Sequence, residues 1–151
     1  MSDPMKDLPH IREAIAIYHD GHRHPKHDKL MLSGLYALAA DAPAPPGEEL
    51  AGKWPEVWPN TASPGVYLIF DGGLNLLYVG KAQNQLGYRL SAHFQGGKTA
   101  PACRIVEQWS QRPAYVATVP FPESSWFEAL ALEGYLIEKL DPPDNKIGKP
   151  S

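Results

Sequence analysis

The chain has little cysteine and no long apolar run. Cys103 is the single thiol among its 151 residues, so an internal disulfide is excluded and the composition is typical of a reducing compartment. No apolar stretch approaches the roughly 20 residues that cross a bilayer, and residues 1–7 lack the apolar middle of a signal peptide. We therefore expect a cytoplasmic protein without membrane association.

An excess of positive charge is also missing. The formal net charge is −3 and the sequence pI is about 6.0, which argues against an indiscriminate, high-affinity nucleic-acid binder. The charge is unevenly distributed along the sequence. Residues 74–119 contain one acidic residue, Glu107, and five basic residues: Lys81, Arg89, Lys98, Arg104 and Arg112. This stretch of net +4 permits a local surface for phosphate, although solvated helix faces would explain it equally well.

The first 62 residues are predicted to form a helical N-terminal extension followed by a proline-rich connector. Apolar residues at helical spacing, such as Ile11, Ile15 and Tyr18, predict helix in the range 8–40, with a second apolar run over residues 29–40. Six prolines fall within residues 41–64. Proline lacks an amide donor and blocks helix, so this part is predicted to be extended.

A histidine-rich stretch separates the two apolar runs of this extension. Four histidines lie within nine residues: His19, His22, His24 and His27. They would suggest zinc, but no cysteine is near and the neighbouring Arg23 and Lys26 oppose a cation. A solvated loop, or a segment facing nucleic acid through Arg23, Lys26 and Lys29, is the better prediction.

Residues 63–151 have the pattern of a small α+β domain. Residues 65–70 and 76–79 are β-rich and are joined by Asp71-Gly72-Gly73, which is typical of a hairpin turn. The remaining predicted elements are helices over 87–94, 102–111 and 126–140 and a strand over 114–119. This order predicts a central antiparallel sheet of about three strands flanked by helices.

The hairpin turn determines which residues face each other. With Gly72 and Gly73 as the turn residues, Tyr67 is predicted to lie opposite Tyr78, with Cβ atoms about 4.5–5.5 Å apart. Two phenol groups would then stand side by side on one face of the sheet. Taken alone, this is an ordinary packed aromatic pair.

The last helix carries a carboxylate on its apolar face. Ser125 and Glu128 have the spacing of a capping box at its start, and Pro142 follows its end. Its predicted apolar face comprises Trp126, Ala129, Leu130, Leu136, Ile137 and Leu140. Glu133 lies within this face, where a carboxylate is costly unless it is paired, hydrogen-bonded or bound to a metal. It is therefore a structural ion pair or the anchor of an active site, whereas Glu128 and Glu138 are predicted to face solvent.

Further polar candidates follow the second strand. Gly80 permits a tight turn or close approach of a ligand, and Lys81 offers a point charge for phosphate. Arg89 and His93 are four residues apart on the next helix and share a face, and arginine suits bidentate phosphate contact. Each of these residues alone would be an ordinary surface residue.

Their order along the chain resembles that of a known family. Gly65-Val66-Tyr67, ten intervening residues and Tyr78-Val79-Gly80 resemble the signature of the GIY-YIG nucleases, with valine at both central isoleucine positions. Further matching positions are Lys81, Arg89, His93, Glu133 and Asn145. The stretch ALALEGYLIEKLDPPDN is similar to the end of the nuclease domain in the excision-repair subunit UvrC. The resemblance covers about residues 63–148 and leaves residues 1–62 outside it.

The resemblance implies hydrolysis of phosphodiester bonds in DNA with one divalent ion, magnesium or manganese, bound by Glu133. Arg89 would stabilise charge on the scissile phosphate, and a tyrosine would activate the attacking water with Lys81 as a cationic neighbour and His93 as a proton relay. Tyr67 is the favoured base with Tyr78 orienting the water, but the order of the two tyrosines stays open.

The expected substrate contacts come from the same motif and from the basic stretch: Gly80, Lys81, Arg89, Lys98 and Asn145. Asn145 is also expected to fasten the chain after the last helix. The mild acidity favours weak intrinsic binding, or delivery to DNA by a homodimer or a DNA-targeting partner. Two alternatives remain: a non-catalytic module that binds nucleic acid or protein on the same fold, and a structural protein in which Glu133 pairs with Arg89.

Overall fold

In a computed structural model, the chain is described over residues 7–38, 43–45, 47–53, 62–95, 104–105 and 109–145. Within these ranges the helices are α1 (Leu8–His22), α2 (Leu86–His93) and α3 (Glu128–Leu140). The strands are β1 (Leu35–Ala37), β2 (Leu50–Lys53), β3 (Gly65–Asp71), β4 (Leu76–Ala82), β5 (Phe94–Gln95), β6 (Arg104–Ile105) and β7 (Pro113–Pro120). No helix in this part of the chain has the length and apolar character needed to cross a membrane.

The described strands form one larger sheet and one small ribbon. The sheet has five strands in the order β2-β1-β7-β3-β4, and β5 pairs with β6 separately. The β1–β2 pair is parallel, whereas the other three pairs of the sheet are antiparallel. The α+β class is confirmed, with two more strands than the sequence predicted.

The sheet is covered on both faces, which explains why β3 is apolar along most of its length. Val66, Leu68 and Phe70 pack into a core with α1 and α3. The alternate residues Tyr67 and Ile69 pack into a second core with α2. Successive side chains of a strand point to opposite faces, so a strand between two helical layers has no solvent-facing side.

The first 62 residues contribute to this sheet. The predicted helix over 29–40 is wrong, since β1 lies there and pairs with β7 through Tyr36 opposite Val116. β2 lies within the predicted connector and pairs with β1. A short apolar run does not distinguish strand from helix, and here β7 offers the backbone hydrogen bonds that favour a strand.

The predicted helix over 102–111 is also wrong where it is described. Residues Arg104–Ile105 form β6, which pairs with β5, and Ser110 lies in a bend. Cys103 and Lys98 lie outside the described residues. Helix α2 and strand β7 confirm the predictions over 87–94 and 114–119.

The hairpin register is two residues away from the prediction. The Asp71 N–H donates to the Asn75 carbonyl (3.0 Å), Leu74 adopts a positive φ of 62°, and a register shift lies between Ile69 and Phe70. Tyr67 is therefore opposite Gly80, not Tyr78. A shift of two residues preserves the face of each side chain, so Tyr67 and Tyr78 remain neighbours with ring centroids 6.0 Å apart.

The start of α3 is held by an ion pair and not by the predicted capping box. Phe127 occupies the N-cap without a side-chain hydrogen bond, and Arg23 Nε donates to Glu128 Oε2 at 2.7 Å. The two side chains are only 3% and 15% exposed. The predictions that Glu128 faces solvent and that Arg23 faces nucleic acid are therefore wrong, whereas Glu138 is exposed as predicted.

Candidate active site

A cleft of about 500 Å³ opens beside the end of β4, the start of α2 and the middle of α3. Its lining consists of Tyr78, Lys81, Ala82, Gln83, Asn84, Gln85, Arg89 and Glu133. The structure thus brings four of the six predicted catalytic side chains to one concave surface. A phenol, two cations and a carboxylate share it.

The other two predicted catalytic residues lie behind Tyr78. Tyr67 is fully buried and its hydroxyl is 2.7 Å from His93 Nε2. His93 is 4% exposed, and its ring centroid is 5.4 Å from the rings of both tyrosines. Trp109 packs against His93 and Tyr78, so the two tyrosines belong to a packed aromatic cluster.

The environment of Tyr67 disfavours its ionised form. Burial raises the pKa of Tyr67 above its ordinary value, and the neighbouring Tyr78 adds to the rise. Arg89 opposes this rise in pKa through its charge and a hydrogen bond, but the effect of burial is larger. The Tyr67 hydroxyl is therefore neutral near pH 7, and it serves as a hydrogen-bonding group there.

Gly80 makes room for Tyr67. The two residues are directly opposite each other in the β3–β4 pair, and Gly80 is buried. A Cβ atom at this position would lie under 3.0 Å from the Tyr67 ring. Glycine is required here because the phenol crosses over the neighbouring strand, and this is a different use of the residue from the predicted substrate contact.

Asn145 fastens the chain to the outer edge of the sheet. Its Oδ1 accepts from the Val79 N–H at 2.9 Å, and its Nδ2 donates to the Val79 carbonyl at 2.8 Å. Asn145 is 3% exposed and β4 is an outer strand, so the amide pairs with the backbone where a neighbouring strand would. This geometry agrees with the fastening role, and the predicted substrate contact stays a prediction.

Helix α3 delivers Glu133 from the border of its buried face. The buried residues are Ala129, Leu132, Leu136 and Leu140, whereas Trp126 and Leu130 of the predicted apolar face are 46% and 55% exposed. Glu133 is half-buried next to Leu132. The helix therefore packs its apolar side on the sheet while this carboxylate reaches the cleft.

The donor set of the cleft suits a magnesium ion. Glu133 is the carboxylate among the lining residues, and one carboxylate with waters and substrate oxygens is a normal Mg²⁺ shell. The described residues contain no group of three or more His, Cys, Asp or Glu placed to hold a metal. This finding covers the described His19, His22, His24 and His27, so the structure gives no support to zinc there.

Three side-chain amides in the cleft were not among the sequence-based candidates. Gln83, Asn84 and Gln85 connect β4 to α2 and are exposed. A run of three amides directly after Lys81-Ala82 was the available signal. Amides donate and accept hydrogen bonds without charge, so these residues add neutral contacts to a site that carries two cations.

A family model described as a UvrC-like GIY-YIG domain matches residues 63–146, more than half of the chain. This chain belongs to the GIY-YIG family. The catalytic positions proposed from the sequence all lie inside the match, and α1, β1 and β2 lie outside it.

Several curated relatives carry the same name. The UvrABC system protein C of Dechloromonas aromatica is 41% identical over 85 residues, which is 56% of this chain and 13% of the relative. The proteins of that name from Pseudomonas putida and Neisseria gonorrhoeae are each 43% identical over 82 residues, 54% of this chain and 12% of the relative. The match thus spans about an eighth of their length. No solved structure gives a significant match.

Proposed function

We propose that this chain is a GIY-YIG endonuclease that hydrolyses phosphodiester bonds in DNA with one bound Mg²⁺ or Mn²⁺. The observation that carries the proposal is the convergence of Tyr78, Lys81, Arg89 and Glu133 on one cleft. The likeness to UvrABC system protein C supports it. Because the match covers a small part of those relatives, the proposed substrate and partners are argued from the site itself and not from the relatives.

The two cations bind and polarise the scissile phosphate. Lys81 and Arg89 line the same cleft and Arg89 is exposed, so both reach a phosphate that enters it. Arg89 donates to a non-bridging oxygen and stabilises the negative charge that develops as water attacks phosphorus. One preorganised donor of this kind typically contributes about 10²–10³ in rate.

Tyr78 is the phenol that contacts the attacking water. It lines the cleft, whereas Tyr67 is fully buried and its pKa is raised. This assignment reverses the order favoured from the sequence. Tyr78 acts as its phenolate, whose negative charge Lys81 and Arg89 stabilise. The phenolate oxygen takes a proton from the water as the bond between the water oxygen and phosphorus forms, and Tyr78 returns to the phenolate by giving that proton to solvent after the ester bond breaks. Tyr67 and His93 hold the ring of Tyr78 in place by packing.

Glu133 holds the divalent ion. When bound, the ion supplies Lewis-acid stabilisation of the charge on the leaving oxygen. The ester bond between phosphorus and that oxygen breaks, and the oxygen takes a proton from solvent. The half-buried position of Glu133 on α3 fixes the carboxylate relative to Lys81 and Arg89 across the cleft.

Cleavage assays with two glutamate variants test this proposal. Wild type, Glu133→Gln and Glu138→Gln are incubated with supercoiled plasmid and with branched and single-stranded oligonucleotides, with and without Mg²⁺. Glu138 lies on the same helix and is exposed, so it controls for the substitution. We expect Mg²⁺-dependent cutting by wild type and Glu138→Gln, and a loss of at least about 10² in Glu133→Gln.

Each contrary outcome has a definite meaning. A wild type that leaves every substrate intact would refute the enzyme, and DNA binding without cleavage would support the non-catalytic module instead. Cutting by Glu133→Gln at the wild-type rate would show that the metal site is wrong. A Glu133→Gln variant that only loses stability would support the structural pairing with Arg89. The homodimer or DNA-targeting partner stays a prediction. Measurement of the molar mass in solution by light scattering tests the dimer.

A further inference from the structure

A second hollow lies beside the cleft and shares a wall with it. It has a volume of about 560 Å³ and is lined by Pro64, Gln83, Asn84, Gln85, Glu123 and Trp126. The three amides Gln83 to Gln85 line both hollows. A strand whose phosphate occupies the cleft therefore has a continuous path past these amides to Trp126.

Trp126 lies on the same side of the α3 segment as Glu133. Its backbone is helical (φ −52°, ψ −34°), and its carbonyl accepts from the Ala129 N–H at 3.2 Å, so a helical turn at Trp126 leads directly into α3. Glu133 lies seven positions further along the chain. Seven residues make about two turns, which places both on one side and about 10 Å apart along the axis.

The chemistry of this second hollow suits a neutral, flat group. Trp126 is 46% exposed, and the residues that line the hollow offer an indole, three amides and the carboxylate of Glu123. This described lining contains no cation, so a phosphate would be repelled by Glu123. A nucleobase stacks on an indole irrespective of its sequence, and its edges bond to amides.

We propose that this hollow binds an unpaired nucleobase of the cleaved strand, stacked on Trp126 beside Gln83 to Gln85. The site deepens the proposed nuclease function and rests on it for the position of the scissile phosphate. A distance of about 10 Å between Trp126 and Glu133 along the helix axis places the stacked base within a few nucleotides of the scissile phosphate. Bases within a duplex have their faces covered, so the site selects partly single-stranded DNA over a continuous duplex.

Binding without Mg²⁺ tests the site independently of cleavage. The probe is a DNA hairpin with a single-stranded arm that carries 2-aminopurine, whose fluorescence falls on stacking, and a blunt duplex of the same sequence is the comparison. Trp126→Ala should weaken binding of the arm by on the order of tenfold or more and remove the quenching. Trp126→Phe should retain most of both.

Phe127 provides the matched control. It is the adjacent aromatic residue and is 59% exposed, but it does not line this hollow. Phe127→Ala should therefore bind the arm and the duplex as wild type does. In cleavage assays, Trp126→Ala should raise KM for the armed substrate more than it raises KM for the duplex, whereas Phe127→Ala should leave both KM values and kcat within about twofold of wild type.

The outcomes separate this inference from the nuclease proposal. Equal effects of Trp126→Ala and Phe127→Ala, or equal effects on arm and duplex, would overturn the stacking site. Unchanged binding and kinetics in Trp126→Ala would overturn it too, and would leave the exposed aromatics as a surface for a protein. Trp126-dependent binding by a wild type that cuts nothing would sustain the base site while the nuclease proposal fails.

Discussion

Replacing Asn145 with alanine should destabilise the protein strongly, because its side chain pairs with backbone at an outer strand. The variant removes the hydrogen bonds of 2.9 Å and 2.8 Å to Val79. Each buried backbone group left unsatisfied costs about 1–3 kcal/mol, so the two together cost about 2–6 kcal/mol. We expect about 2–4 kcal/mol, because water entering at the sheet edge would satisfy part of the loss.

Urea unfolding measures this loss, and two further variants sharpen it. Asn145→Asp keeps the acceptor for the Val79 N–H but sets a second oxygen against the Val79 carbonyl, so it should also be destabilised. Asn84→Ala, at an exposed asparagine, should stay within about 0.5 kcal/mol of wild type. If Asn145→Ala unfolded like wild type and instead raised KM, Asn145 would be a substrate contact and our reading of the Val79 bonds would be refuted.

Two further predictions concern the buried phenol. Gly80→Ala should lower the free energy of unfolding by about 1–3 kcal/mol, because its Cβ overlaps the Tyr67 ring and overpacking is destabilising. Gly134→Ala, with open space around it on α3, should raise the free energy of unfolding by about 0.4–1 kcal/mol. Equal urea midpoints for the two variants would contradict the clash. The raised pKa of Tyr67 contributes stability that is complete below pH about 10, where the unfolded phenol is neutral, and is lost as pH rises toward the folded pKa. Wild type should therefore lose stability above pH 10 faster than Tyr67→Phe in alkaline unfolding titrations, and parallel curves would count against burial as the cause.

The parts of the fold that could be predicted from sequence are those in which one local rule acts alone. Strand β3 is a β-rich run followed by turn residues, and α2 and most of α3 follow helical spacing. Part of the cleft could be predicted because Lys81 lies near the end of β4 and Arg89 lies on α2, the next helix, so that chain connectivity alone places them near each other. Glu133 was identified because a carboxylate within an apolar helix stripe requires a partner.

The parts that could not be predicted depend on long-range pairing. Residues 35–37 have apolar character that fits a helix as well as a strand, and only the free edge of β7 decides for a strand. The ion pair between Arg23 and Glu128 joins residues 105 positions apart. No local sequence pattern predicts this ion pair. Because Glu128 pairs with Arg23, it does not form the predicted capping box. The difference in exposure between Tyr67, which is buried, and Tyr78, which lines the cleft, also depends on long-range packing, because Tyr67 packs against His93 and the opposite strand.

The residues outside the family match help to build the site inside it. Arg23 lies in the first 62 residues, and its guanidinium binds Glu128, the first residue of α3. It also donates to the Asp28 carbonyl at 3.0 Å and lies 5.6 Å from the Phe121 ring, so it ties the segment after α1 to the chain that enters α3. Trp126 lies just before α3, and Glu133 lies about one and a half turns into it. A movement of that helix start would therefore shift the proposed base site and the proposed metal ligand together, which gives the N-terminal segment a direct physical connection to both.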